Sequence, residues 1–378
     1  MWFVSRHFGN PIVYWIIIIF LYLVLFITGY KAKFCNKKDY WKICFPAIML
    51  YSIIEGIRYG RGTDFFHYMY DLQNGVWTDY SELVYLLWIK FYHSLSIPYY
   101  WGFIFYSALF IIGFLFIAKD FKKFLWISLP LMFYITQPNT ENLIRQCLAV
   151  SFIMIGYAFY LKKNRILSFT CMLIAPLIHS FALFPVVIYG LCIIPHMSRY
   201  LSRYPWVYPL LFSITYFFWD ISLFDKYIPF ISSLDLGENR LQLYIEQADT
   251  KFTSDSKLIH IVYGSVIYLT IKYIFTCYVL YKGVDIIKVN PRYTFIYIAT
   301  FLTFFFSVFS CGIEIWERFG FIFEFAVPIV LGFILINRTK FKYIDYIYCL
   351  FLAYLYLYPL LINIGNTTEN GCGFIWDK

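Results

Sequence analysis

The chain has 378 residues, 61% hydrophobic and 14% charged, with a mean hydropathy of +0.65 and a formal net charge of +9. An ordinary soluble domain carries about a quarter charged residues, so that class is excluded. Repeated apolar runs, each long enough to approach the roughly 30 Å of bilayer hydrocarbon, predict an all-α, polytopic integral membrane protein. No polar linker separates two units, so residues 1–378 read as a single transmembrane domain.

In chain order, spans are predicted at roughly 11–30, 42–57, 99–118, 125–138, 146–161, 166–179, 181–195, 206–222, 258–281, 293–311, 315–336 and 343–361, about twelve transmembrane helices. The pair 166–179 and 181–195 is short, flanked by Pro176 and Pro185, and reads as a broken hairpin. Only Arg6 and His7 precede the first run, whereas Lys31, Lys33, Lys37 and Lys38 follow it. That order is the reverse of a cleavable signal peptide and puts the amino end outside. Alternate loops then collect most of the Lys and Arg, around Lys119/Lys122/Lys123, Lys162/Lys163/Arg165, Arg199/Arg203, Lys282/Lys288/Arg292 and Arg338/Lys340/Lys342. The positive-inside rule assigns these loops to the cytoplasm and both termini to the outside.

Two outer-face loops remain. The first, about 58–98, contains the run Arg58 to Tyr68 and then Ser81–Leu95, whose apolar positions alternate with Glu82, Lys90 and His93. That pattern predicts an amphipathic helix lying on the membrane surface. The second, about 223–257, mixes both signs of charge.

Aromatics make up 24% of the chain. They suit interfacial belts and lipid-facing filler, with stacking on sugars or a polyprenyl chain as the functional reading. Nine cysteines without a C-x-x-C define no disulfide framework, although Cys311 and Cys372 could share the outer face. No Cys/His zinc spacing or H-E-x-x-H occurs, so no metal or other cofactor is expected.

Charged and polar groups are costly in a bilayer and usually pair, line a cavity or act on a substrate. Arg58, Arg145 and Arg318 each fall near an outer span end. Guanidinium matches phosphate oxygens in bidentate geometry, so several at one depth suit a lipid-linked diphosphate. The plainer reading is neutralisation at helix spacing, by Glu55 for Arg58, Glu141 for Arg145 and Glu314 for Arg318. Asn142, Arg145, Gln146 and Ala149 recur at i, i+3, i+4 and i+7 and predict one polar helical face. His179, at the tip of the short hairpin, is a candidate base or a structural hydrogen-bonded residue. Asp64 is the competing base, or a turn, capping or salt-bridge residue. Glu324 and Lys272 lie deep in two spans and are expected to pair.

Four pieces in order resemble the EpsG family of exopolysaccharide proteins, a branch of the Wzy-like O-antigen and capsule polymerases. They are Arg58-x-x-x-Gly62-x-Asp64-x-x-x-Tyr68, Asn142-x-x-Arg145-Gln146-x-Leu148-Ala149, the Leu-Ile-Ala-Pro-Leu-Ile run ending in His179-Ser180, and Glu317-Arg318-Phe319. Phe65 follows Asp64 where tyrosine is more usual. The resemblance implies a glycosyltransferase-type polymerase acting without metal on undecaprenyl-diphosphate-linked oligosaccharides at the outer leaflet. By that resemblance Arg145 and Arg318, assisted by Arg58, hold the diphosphate; His179 or Asp64 is the catalytic base; Asn142, Gln146 and Tyr68 orient sugars. Membrane lipids surround the chain, a flippase and a chain-length regulator are candidate partners, and no nucleic acid is expected. The alternatives are a single-sugar glycosyltransferase using a polyprenyl-phosphate donor, a non-enzymatic transporter or flippase, and a membrane acyltransferase with His179 as base. Intramembrane charges are few and outer-weighted, which counts against a transport pore.

Overall fold

The computed structural model describes residues 9–62, 64–76, 82–194, 196–218, 266–309, 314–336, 347–348, 350–351, 354–355 and 372–377. All its regular elements are helical, with one isolated β-bridge between Arg58 and Phe374. The expected loop 223–257, most of the last expected span and Cys311 lie outside the described residues.

Helix α1 runs from Pro11 to Phe34. Asn10 caps it by accepting from Ile12 N–H at 2.9 Å, and Pro11 occupies the first turn, where a missing N–H costs nothing. Lys31 and Lys33 sit in the last turn, where cations oppose the negative end of the helix dipole. Tyr14, Ile18, Leu21, Leu25 and Ala32 form the buried stripe, while Ile12, Ile16, Phe20 and Leu23 are exposed. A helix that is apolar on both its packed and its exposed side matches a protein interior on one side and lipid on the other.

The chain continues through α2 (Tyr40–Gly56), α3 (Phe65–Asn74), α4 (Leu83–Ser94), α5 (Tyr99–Ala118), a 3-10 turn (Lys119–Phe124), α6 (Leu125–Asn142) and α7 (Ile144–Leu161). Then come α8 (Arg165–Ile178), a 3-10 turn (Ser180–Ala182), α9 (Leu183–Cys192), α10 (Met197–Arg203) and α11 (Val207–Phe218). The remaining helices are α12 (Val266–Gly283), α13 (Asp285–Val289), α14 (Thr294–Phe309), α15 (Glu314–Phe321) and α16 (Val327–Ile336).

Helix α7 is central, packed between α5 and α8, with α2 against α5 and α1 against α2 and α6. Small residues permit these close approaches: a Cβ on Gly113 of α5 would lie 3.1 Å from the Ser151 carbonyl oxygen of α7, and one on Gly29 of α1 would lie 2.5 Å from the Leu125 carbonyl oxygen.

Five helical runs among the described residues are long and apolar enough to cross a membrane: 11–34, 99–142, 144–161, 291–309 and 318–336. A sixth results if the pair 180–192 and 197–203, bent by 91°, counts as one. The expected count of about twelve is not confirmed among the described residues, and the expected spans 206–222, 258–281 and 343–361 lie partly outside them. Helix α8 is apolar but has only 14 residues, and α2 has 17. At 1.5 Å per residue these fall short of the hydrocarbon thickness. The 44-residue run 99–142 reverses direction at the Lys119–Phe124 turn, where Phe121 leaves helical geometry. Its two ends meet again at Arg58, whose guanidinium lies 4.8 Å from the Phe103 ring and 3.4 Å from the Thr140 carbonyl oxygen.

Basic turns gather at one end of this bundle. Lys122 donates to the Cys35 carbonyl, Lys119 lies 5.5 Å from the Tyr40 ring, Lys162 lies 3.6 Å from the Phe116 ring, and Arg292 Nη1 donates to the Leu161 carbonyl at 3.3 Å. The opposite end holds the start of α1, the 55–61 turn and the segment 372–377. There Tyr59 N–H donates to the Gly373 carbonyl and Ile375 N–H to the Ile57 carbonyl, both at 2.9 Å.

The expected surface helix is α4, and it is docked rather than merely adsorbed. Tyr85, Leu86, Ile89 and Tyr92 are buried. Trp88 stacks on Phe105 at 4.5 Å and donates its indole N–H to the Tyr106 hydroxyl at 2.7 Å. Leu83, Leu87 and Phe91, spaced by four, leave an exposed apolar edge.

Candidate functional site

The polar residues expected to form one constellation fall into two clusters with separate bonding partners. The first is a buried ion quartet. Arg58, 1% exposed, donates Nη1 to the Glu55 carbonyl at 2.7 Å, and the same nitrogen lies 3.5 Å from Glu55 Oε2. Arg61 donates Nη2 to Glu55 Oε1 and Nε to Glu141 Oε1, each at 3.1 Å, between the Tyr14 and Phe374 rings. Gln137 completes the cage: its Nε2 donates to the Tyr14 hydroxyl at 2.7 Å and to Glu141 Oε1 at 3.1 Å. Two guanidinium groups facing two carboxylates balance in charge, which is what a buried position requires. Gly62 permits the approach: its φ is +90°, and a Cβ there would lie 2.6 Å from the Glu141 carbonyl oxygen.

The second cluster gathers around Arg145. Its guanidinium pairs with Glu82 and faces the rings of Tyr85 at 5.6 Å and Tyr68 at 6.0 Å. Glu82 also reaches His179, whose Nδ1 lies 3.4 Å from Glu82 Oε1. Burial pushes the Tyr68 phenol up; the charges of Arg145 and Arg318 oppose this and that of Asp64 adds to it. Gln146 Nε2 donates to the Arg318 carbonyl at 2.7 Å and ties α7 to α15. Gln146 also lines a small pocket together with Asn139, Phe321 and Glu324.

Local backbone explains the placement. Leu143, at φ −109° and ψ 52°, separates α6 from α7. Arg145, Gln146 and Ala149 keep the expected buried face of α7. Asn142 ends the preceding helix instead and donates Nδ2 to the Pro138 carbonyl at 3.0 Å, so the four-residue face is corrected to three. His179, at φ −152° and ψ 122°, breaks α8 from the following 3-10 turn. Pro176, two residues inside the end of α8, cannot donate to the helix ladder. Asp64 precedes α3 in the capping position but its side chain makes no capping bond.

The expected neutralising pairs rearrange. Glu55 does meet Arg58, but Glu141 goes to Arg61 and Arg145 to Glu82. The Glu314 side chain lies outside the described residues. Glu324 accepts from Asn139 Nδ2 at 2.6 Å, not from Lys272, which corrects the expected intramembrane pair. Sequence reading overlooked the role of Glu82, placing it on the polar side of an amphipathic helix. Its signal was its position directly before the apolar run from Leu83, the place from which a side chain can point back into the fold.

Apolar helices with a compact arginine, carboxylate, histidine and tyrosine cluster at the end away from the basic turns define a multi-pass membrane protein with a buried charged cluster at one end of its bundle. The chain belongs to the EpsG family, whose model matches residues 41–371. Membership implies a polysaccharide-polymerase-like, glycosyltransferase-like role. No curated protein matches the chain, and no solved structure does.

Proposed function

We propose that the protein polymerises undecaprenyl-diphosphate-linked oligosaccharide repeat units into surface polysaccharide at the outer leaflet of the bacterial inner membrane. The end carrying Arg145 and His179 faces outward in this reading. The bond between the anomeric carbon of one repeat unit and its diphosphate breaks, and the diphosphate leaves with the electron pair. A hydroxyl oxygen of a second lipid-linked unit bonds to that carbon, and its proton passes to His179, with Asp64 the alternative acceptor. Arg145 and Arg318 stabilise the charge growing on the leaving diphosphate. Tyr68, Gln146 and Asn142 border the sugars. Arg58 is held in the ion quartet and supports the loop instead of touching substrate.

The observation supporting this reading is the buried Arg145–Glu82–His179 cluster, with the Tyr68 ring facing Arg145 and Gln146 bonded to the Arg318 carbonyl. The test is gene loss and complementation with surface polysaccharide resolved by length. A ladder that collapses to one repeat supports polymerisation; an unchanged ladder overturns it.

A second reading is transfer of a single sugar from a polyprenyl-phosphate donor. It draws on the second carboxylate that Glu82 brings beside His179. It predicts loss of the completed lipid-linked repeat itself, not of the ladder alone.

A further inference from the structure

Glu82 stands at the junction of two groups with different tasks. One oxygen, Oε2, pairs with Arg145 Nη1, and the other, Oε1, lies 3.4 Å from His179 Nδ1. The carboxylate is 2% exposed, while Arg145 and His179 are each 8% exposed. Arg145 thus holds an anion already, and the anion belongs to the protein.

The histidine geometry sharpens the point. Nδ1 faces Glu82 Oε1, and the Phe181 backbone N–H also points at it from 3.4 Å. A ring nitrogen cannot accept from Phe181 and donate to Glu82 at once. A carboxylate free to turn fully toward Nδ1 favours the proton there and leaves Nε2 as the ring's acceptor. A carboxylate drawn toward Arg145 favours Nδ1 as the acceptor from Phe181, with the proton on Nε2. The position of Glu82 between its partners therefore selects which histidine nitrogen can take a proton.

We infer that Glu82 is a positioning residue that occupies the anion subsite of Arg145 and, when a diphosphate displaces it, turns to His179 and frees Nε2 as the base. This rests on the proposed diphosphate reading and adds a regulation to it: the leaving-group anion arms the base. An empty site keeps its arginine neutralised and its histidine in the other tautomer. A loaded site has the diphosphate on Arg145 and the carboxylate on Nδ1–H. No bond to Glu82 forms or breaks except hydrogen bonds, and the ring proton moves between nitrogens through solvent.

The inference makes opposite demands on binding and turnover, which a merely structural role would not. The full-length protein in nanodiscs is titrated with undecaprenyl diphosphate in the bilayer and, in a separate arm, with inorganic pyrophosphate. Glu82→Gln keeps the shape but removes the competing charge. It is expected to bind undecaprenyl diphosphate roughly tenfold tighter, within the usual range of coupling between sites, while polymer formation from lipid-linked repeats falls by about 100-fold. Glu82→Asp, one methylene shorter, serves where the glutamine variant does not fold. It is expected to bind more tightly than wild type and to retain more turnover than Glu82→Gln. Tightening in both arms assigns recognition to the diphosphate group; tightening for the lipid alone assigns it to diphosphate and chain together.

Arg318→Ala and Arg145→Ala are the controls for the parent reading. If neither weakens diphosphate binding, that reading falls and this inference with it. If they weaken binding while a folded Glu82 variant binds no more tightly than wild type, the displacement role alone is overturned.

Discussion

Arg61 and Glu141, 80 positions apart, form a buried ion pair in which Arg61 Nε donates to Glu141 Oε1 at 3.1 Å. The pair joins the turn after α2 to the last turn of α6, directly before the break that launches Arg145. Breaking a buried pair leaves an uncompensated charge and typically costs about 3–5 kcal/mol. Arg61→Ala is expected to lower the thermal midpoint and the amount of protein accumulating in the membrane. Wild-type values for both would show that this pair does not hold the two segments together.

Arg145 tests a different property, because its charge faces a buried carboxylate. Arg145→Lys keeps a cation opposite Glu82 but loses the planar fork. Its thermal midpoint is expected to stay near that of wild type while long polymer falls by about 100-fold, the scale of losing one transition-state donor. Normal chain lengths on a polysaccharide gel would remove the bidentate role.

Asp71 on α3 provides a pH signature. Burial holds its carboxyl above the usual carboxylate range, with His67, 3.6 Å away, and Arg145 partly offsetting this. The folded state thus binds this proton more tightly than the unfolded chain does. Stability from this group is fully present at acid pH and is lost as pH rises through the raised range. Asp71→Asn, uncharged throughout, is expected to exceed wild type in thermal midpoint above that range, with the gap closing on acidification. A gap independent of pH would trace the effect to something other than the Asp71 charge.

The segment 372–377 acts as a clasp. Phe374 is 1% exposed, bridges to Arg58 through the backbone, and lies 5.4 Å from the Arg61 guanidinium and 6.3 Å from the Tyr14 ring. Phe374→Ala is expected to destabilise by about 3–5 kcal/mol, as for other buried Phe truncations. The measurement is thermal or denaturant unfolding in detergent; a shift under about 1 kcal/mol, the scale of surface changes, would mean that the clasp contributes little.

Some of this was legible in the chain alone. Apolar runs and the alternation of Lys and Arg between loops report the local preference of each segment for lipid or water, and that preference needs no knowledge of neighbours. Hence the helical membrane class, the shared end of the basic turns and the EpsG motifs could be read directly. Spacing within one helix was also readable: Glu55 does meet Arg58 at i, i+3.

Pairing across helices was not. Glu141 had Arg145 four residues away, yet the break at Leu143 rotates the two apart, and Glu141 turns to Arg61. Glu82 looked like a surface charge because periodicity shows which side of a helix is polar, not what packs against it. Only the docking of α4 on α8 brings its carboxylate to Arg145 and His179. The count of about twelve spans is likewise not confirmed among the described residues: hydropathy marks apolar segments, whereas crossing a bilayer also depends on where each helix starts and stops. Composition thus determined the solvent this chain lives in, and the tertiary structure decided which charge answers which, because ion pairing in a low-dielectric interior is set by distances between segments far apart in sequence.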